Sequence, residues 1–263
     1  MSSPLYKARC DLALAYRFLG MLGMDDLTYT HLSTRVPGTV DEFLIYPFGQ
    51  LFSEVTPDSL LRVNIAGEIL EGEEFQYNTT GYAIHGSLYQ HRPNIQAIFH
   101  LHTIAGVSVS SMKCGLLPIS QFAFHFYNRL GYCPYNSLIT NPHTQGKSLI
   151  EALGDKWVMF FENHGTLTCG QTLQEAFFYT YYLEKACQVQ CQVLAANGTG
   201  PIFPHPDICE KAAQDMRNFE PDLGQRDWIA LTRKASMLYP DVKDFLEKRK
   251  RIDSPSLRQP QPA

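Results

Sequence analysis

His100 and His102 stand one residue apart at the end of the apolar run Ala97-Ile98-Phe99-His100-Leu101-His102. A brief apolar run between Arg92-Pro93-Asn94 and Thr103 reads as a buried strand. Alternation along a strand puts both imidazoles on one face and turns Leu101 back into the core. Two imidazoles side by side repel if both are charged, and a metal ion holds them neutral directly. A third histidine, His164, follows a second apolar run, Trp157 to Phe161, at the polar break Glu162-Asn163-His164-Gly165. The neighbouring glycine permits an unusual backbone angle there. Three neutral imidazoles suffice as the protein donors for a catalytic Zn²⁺ or similar divalent ion, with positions left for water or substrate. On spacing alone the competing reading stays open: two histidines on a half-exposed strand face and one in a turn, with no metal.

The elements that must position these residues are legible in outline. Leu5, Ala8, Leu12, Ala15, Tyr16, Leu19 and Leu22 fall at helical spacing, so an amphipathic helix over 5–22 opens the fold. Tyr29 to Arg35 and Phe43 to Tyr46 read as strands, and Arg62 to Leu70 as a hairpin about Ala66-Gly67. Thr56-Pro57-Asp58 is a helix start with little to follow it. Thr80 is expected to cap a helix running to about His91, before Arg92-Pro93. Ala105 to Met112 and Asn141 to Leu153 supply two further helices, the second closed by Gly154. Thr172-Leu173-Gln174-Glu175 is a capping box opening a long helix to about Ala196. Helical patterns resume from Asp207 to about Lys248. The expected organisation is therefore one α/β domain over 1–200, a helical extension over 201–247 and a disordered tail over 248–263.

The composition narrows the class. The chain has 263 residues, 44% of them hydrophobic, and a net charge of −4, so it can bury a full core and has no general affinity for nucleic acid or acidic membranes. No apolar run approaches the ~20 residues of a membrane helix, and the first residues lack the pattern of a secretion signal. Seven cysteines without CxxC spacing fit a reduced interior, with Cys187 and Cys191 filling core on one helix face. The expected location is the cytoplasm.

His-x-His after a strand, Asn163-His164-Gly165 further on, and Tyr89-x-x-Arg92-Pro93 just before the first pair make residues 5–200 resemble the class II aldolase/adducin family. The resemblance is strongest to the adducin head-domain branch. Thr30-His31-Leu32-Ser33-Thr34-Arg35, Phe43 to Gly49, Leu51 to Thr56 and Met112-Lys113-Cys114-Gly115-Leu116-Leu117-Pro118-Ile119-Ser120 carry that closer likeness. It implies a three-layer α/β/α fold with a mostly antiparallel central sheet. It also implies one divalent metal per chain, usually Zn²⁺, on His100, His102 and His164, and a homo-oligomer, with the tetramer favoured. The aromatic runs Phe122 to Tyr127 and Phe177 to Tyr182 are broader than one core-facing stripe requires, which points the same way.

Departures from the family pattern bear on the chemistry. The acid/base glutamate of the sugar-phosphate aldolases falls at Gly81, which has no group to move a proton. Their phosphate-binding asparagine is His31, and the serine of a Ser-Gly pair is Phe48. Thr79 and Thr80 do fall where those enzymes have a hydroxyl pair, so Thr79, Thr80 and His31 are the substrate-binding candidates. Glu54 and His31 are the weak catalytic candidates, with Glu54 better suited to a salt bridge or to capping the following turn. His85 reads as a satisfied buried histidine, and Glu162 as either an outer-shell partner of the metal or a solvated turn residue. Tyr82, Tyr89, Tyr181 and Tyr182 read as core or interface aromatics.

The expected function is a metal-dependent, lyase-like enzyme on a small oxygenated substrate, by aldol cleavage, decarboxylation or related enediolate chemistry. The alternative is a catalytically silent, adducin-head-like assembly module that retains the metal. Adducins join their heads to a neck and a long basic tail that engage spectrin and actin. The Lys248–Arg251 run is too short to replace such a tail, so neither partner is expected.

Overall fold

The computed structural model describes residues 3–253 apart from 138, 140, 141, 197, 199, 220 and 221. In chain order the elements are α1 (Ser3–Met21), β1 (His31–Arg35), β2 (Glu42–Ile45), β3 (Leu61–Asn64), β4 (Ile69–Glu71), α2 (Thr79–His91), β5 (Ala97–Leu101), α3 (Ile104–Ser110) and α4 (Gln121–Phe124). Then come β6 (Leu130–Cys133), α5 (Pro142–Leu153), β7 (Val158–Phe161), β8 (Gly165–Gly170), α6 (Leu173–Ala195), α7 (Pro206–Phe219), α8 (Gln225–Leu238) and α9 (Pro240–Asp253). The strands form one sheet in the order β4-β3-β2-β1-β5-β8-β7-β6. All pairs are antiparallel except β6–β7. The expected mixed, mostly antiparallel architecture is the one observed.

Sheet alternation explains the layering. On β1, Leu32 turns toward α1, whose Tyr16 hydroxyl donates to the Leu32 carbonyl at 2.7 Å and accepts from the Leu32 amide at 2.9 Å. His31 and Ser33 turn the other way, toward α2, where both meet His85. Helices α1 and α6 cover one face and α2 and α5 the other. The central strands are buried on both sides, so β1 and β5 lose the polar alternation of a half-exposed sheet.

Several boundaries differ from those read in the sequence. Asn78, not Thr80, caps α2: its side-chain oxygen accepts the Thr80 amide at 3.0 Å and the Thr80 hydroxyl at 2.7 Å. The Thr172 side chain accepts the Glu175 amide at 3.1 Å, but Glu175 accepts the Gln171 amide, one residue beyond the Thr172 amide that a reciprocal box requires. Residues 248–253 are not disordered. They complete α9, where Arg249 pairs with the buried Asp11 on α1 at 2.9 Å and Lys248 with Asp58 at 2.9 Å. The rest of the expected tail lies outside the described residues. The aromatic runs find much of their cover inside the chain: Phe177 packs on Trp228, and Phe178 and Tyr182 enclose His125. Among the described residues every cysteine is a free thiol, Cys187 buried and Cys191 half-buried.

Candidate metal centre

Three pieces of backbone bring the histidines together. In the β1–β5 pairing His31 lies directly opposite His100, both on the α2 face. His102 follows one residue beyond the end of β5. The β7–β8 hairpin closes with Phe161 opposite Gly165, leaving Glu162, Asn163 and His164 in its loop. Asn163 adopts a left-handed φ of 56°, which asparagine tolerates better than most residues, and its amide is held by the Ser110 carbonyl at 3.1 Å. Gly165 has no substitute: a Cβ there would overlap the Leu101 carbonyl oxygen and come within 3.1 Å of the His102 ring. Its missing side chain lets the hairpin approach close enough for His164 to reach His102.

The Nε2 atoms of His100 and His102 lie 2.9 Å apart, and those of His102 and His164 3.0 Å apart. The outer nitrogens decide what the inner ones can do. His100 Nδ1 is 2.9 Å from the Thr166 carbonyl and His102 Nδ1 is 2.9 Å from the Asp26 carboxylate. Both partners are acceptors only, so each neutral ring carries its proton on Nδ1 and turns a bare lone pair inward. Two lone pairs at that separation repel unless a cation lies between them. Tetrahedral zinc with bonds of ~2.0–2.1 Å would set its nitrogens about 3.3 Å apart, close to the spacing seen. The donor set thus fits a divalent ion held by His100, His102 and His164, the three residues whose ligand atoms cluster within 4.8 Å. Burial, then the neighbouring histidines, holds His100 well below the ordinary imidazole pKa. Burial, then His102, lowers His164 to about 4. Neutral, metal-ready imidazoles are the result.

A second polar group lies behind this one. His31 Nδ1 is 2.9 Å from His85 Nε2, His85 Nδ1 bonds Ser33 Oγ, and Ser33 Oγ is 2.9 Å from the Tyr89 hydroxyl. All four residues are buried. The His31 ring stands 5.0 Å from the His100 ring, centroid to centroid. It also lies over Gly81: a Cβ on Gly81 would fall 2.8 Å from His31 Cδ2 and 3.0 Å from its Nε2. His31 and Gly81 are therefore one structural feature, a large ring on β1 occupying room that a small residue on α2 releases.

The other sequence candidates separate. Thr79 and Thr80 begin α2, beside Gly81 and hence near His31, with the Thr80 hydroxyl engaged by Asn78. Glu54 is exposed, and its carboxylate accepts the Leu51 amide at 2.7 Å, so it caps a turn. Glu162 does not support a ligand: its side chain lines a separate cleft with Ser110, Lys113, Cys114 and Tyr132. The outer partners are instead Thr166 and Asp26. Asp26 was missed because it comes from the α1–β1 loop, 76 residues before His102, with nothing in its surroundings to mark it. Beside His164 opens a cavity of about 170 Å³ lined by Cys133, Tyr135, Ile139, Leu149 and Phe161 among others.

Residues 10–191 match the family described as Class II Aldolase and Adducin N-terminal domain. The chain is similar to an aldolase II superfamily protein from Pseudomonas syringae, with a TM-score of 0.85 and 35% identity over 92% of this chain and 97% of that one. It is similar to an L-fuculose 1-phosphate aldolase from Glaciozyma antarctica, with a TM-score of 0.69 and 28% identity over 83% and 92%. It is also 41% identical over 197 residues to alpha-adducin from Rattus norvegicus, covering 73% of this chain but only 26% of the adducin.

Proposed function

From membership of the class II aldolase/adducin family, to which this chain belongs, we propose that it is a metal-dependent, lyase-like enzyme on a small oxygenated substrate. The observation that carries the reading is the polarity of the cluster, in which the Thr166 carbonyl and the Asp26 carboxylate turn the lone pairs of His100 and His102 inward. A divalent ion bound there, most simply Zn²⁺, supplies positive charge against the negative charge that develops on substrate oxygens.

The chain's own residues do the rest. His100, His102 and His164 hold the ion, with burial keeping His100 and His164 neutral. Asp26 and the Thr166 carbonyl fix two of the rings in orientation and tautomer. The His31 ring fills the space where the family's sugar-phosphate aldolases carry a carboxylate, and Thr79 and Thr80 offer hydroxyls at the adjoining start of α2. Without that carboxylate, and with His31 and Phe48 in phosphate-binding positions, phosphorylated ketoses should turn over poorly. The favoured substrate is unphosphorylated, such as an α-hydroxy acid or its carbonyl analogue. A cytoplasmic location is supported by the unpaired cysteines. A homo-oligomer, with the tetramer favoured, is supported by the family and by Ile104, which is 85% exposed two residues after His102.

Metal analysis followed by a panel of small hydroxy acids, keto acids and sugars tests the reading. Near-stoichiometric divalent ion and turnover of one unphosphorylated compound are expected. Rapid cleavage of ketose phosphates, with the rest of the panel inert, would overturn the substrate assignment.

The likeness to alpha-adducin, together with Gly81, favours a second reading: an assembly module in which the metal only stabilises the fold. Chelation separates the two. An oligomer and melting temperature that survive metal removal favour the enzyme, and collapse on chelation favours the module.

A further inference from the structure

Tyr89, Ser33, His85 and His31 form a single file of hydrogen bonds, and its direction can be worked out from its closed end. The Tyr89 phenol has Ser33 Oγ as its one hydrogen-bond partner among the described residues. Burial raises its pKa far above that of a free phenol, so it keeps its proton. That proton has one acceptor, Ser33 Oγ. Ser33, whose oxygen accepts from Tyr89, then donates its own proton to His85 Nδ1. A neutral His85 with Nδ1 accepting carries its proton on Nε2, and donates it to His31 Nδ1. Burial lowers His85 to about 3, which keeps it neutral. His31, accepting at Nδ1, must carry its proton on Nε2. The four residues hold four protons for three bonds, so one is left over: this direction leaves it on His31 Nε2 beside the metal centre, and any other would strand it on Tyr89 or Ser33 in the packed core.

We propose that Tyr89, Ser33 and His85 are positioning residues that lock His31 in its Nε2–H tautomer, so that it offers a hydrogen-bond donor to an anionic substrate oxygen bound beside His100. The placement of the ring carries the last step: its Nδ1 is taken by His85 and the ring stands 5.0 Å from that of His100, so Nε2 is the nitrogen left for a ligand of the metal centre. His31 is then not a fourth ligand. His100 and His102 point lone pairs inward because acceptors hold their outer nitrogens. His31 points a proton because a donor holds its outer nitrogen. A donor at this position stabilises oxyanion character as a bond to the neighbouring carbon breaks.

The tautomer stands independently of the proposed function, and the contact with substrate rests on it. Solid-state NMR of the full chain labelled with ¹⁵N-histidine, assigned through backbone correlations, reads the tautomers directly. His31 and His85 should both be Nε2–H at neutral pH, and Nδ1–H at His31 would overturn the proposal. In Tyr89→Phe the direction is no longer imposed, so His31 should become a mixture of tautomers, whereas an unchanged pure tautomer would remove Tyr89 from the chain. Should Tyr89→Phe fail to fold, the wild-type spectrum alone still decides the direction.

Acetohydroxamate, a small chelating oxyanion, probes the second half by titration calorimetry on zinc-loaded protein. His31→Asn should keep its zinc and bind the hydroxamate about tenfold more weakly, the scale of one hydrogen bond to a charged group. Equal affinity, or loss of zinc from His31→Asn, would overturn the donor role. Wild-type protein that takes up no zinc would overturn the proposed function instead, and the spectrum would still decide the tautomer.

Discussion

Two groups of histidines share one buried region, yet the residues behind them give them opposite characters. Behind His100 and His102 stand a carbonyl and a carboxylate, which can only accept, so these rings present lone pairs. Behind His31 stands a file that begins at a phenol with a proton to give, so this ring presents an N–H. His31 and His100 are even cross-strand partners. The role of an imidazole here is set by what occupies its far nitrogen, and neither burial nor proximity to the cluster distinguishes the two.

The sharpest break of that contrast is metal content. His100→Ala, His102→Ala and His164→Ala should each lose most of the bound ion, because each removes one of three protein donors. His31→Asn should retain it. Full occupancy by elemental analysis in a His100→Ala/His164→Ala double variant would refute the centre. Asp26→Ala comes next in size: it leaves all three donors in place but frees the His102 ring, and should weaken the metal by about 10–100-fold. Competition against a chromophoric chelator measures it, and an unchanged affinity would show that Asp26 is incidental.

The relation between His31 and Gly81 gives a smaller effect in the folding free energy. Gly81→Ala places a methyl 2.8 Å from the His31 ring in a packed interior, and overpacking of this kind costs about 1–3 kcal/mol. Denaturant unfolding should show that cost largely relieved in Gly81→Ala/His31→Asn, where a shorter side chain makes room. Additive costs would mean that the ring does not occupy the released space. By the same argument Gly81→Glu alone cannot rebuild an aldolase carboxylate, since His31 must move first.

The sequence carried every strand but β6, the long helix and the three histidines that cluster, because local period and a fixed histidine spacing on one strand face are readable over a few residues. It did not carry Asp26, whose role depends on a loop folding back from 76 residues away. It left His85 as a satisfied core histidine, which is true as far as it goes: the ring is satisfied at both nitrogens. The direction of those bonds depends on Tyr89 and Ser33 meeting across two elements, which no local pattern encodes. Glu54 and Glu162 show the converse. Their residue types suited catalysis, but backbone geometry gives one to a turn amide and the other to a different cleft.

The smallest expected effect concerns a histidine in neither group. His125 is enclosed by Phe126, Phe178 and Tyr182, and burial lowers its pKa to about 4. The unfolded chain holds a proton on it below about pH 6.5, and the folded chain does so only below about 4. Between those values the unfolded state binds more protons, so stability falls as pH is lowered from 6.5 toward 4, with a slope of up to about one proton from this residue. His85, lowered to about 3, adds to the same acid limb and extends it further down. His125→Phe keeps an aromatic ring among aromatic neighbours and removes the titration. Its melting temperature should therefore decline less steeply than that of the wild type between pH 6 and 4, and converge with it less at neutral pH than at acid pH only if packing itself has changed. Parallel acid limbs for the two proteins would show that His125 binds its proton equally well folded and unfolded, and that the acid sensitivity belongs to the histidines on the sheet.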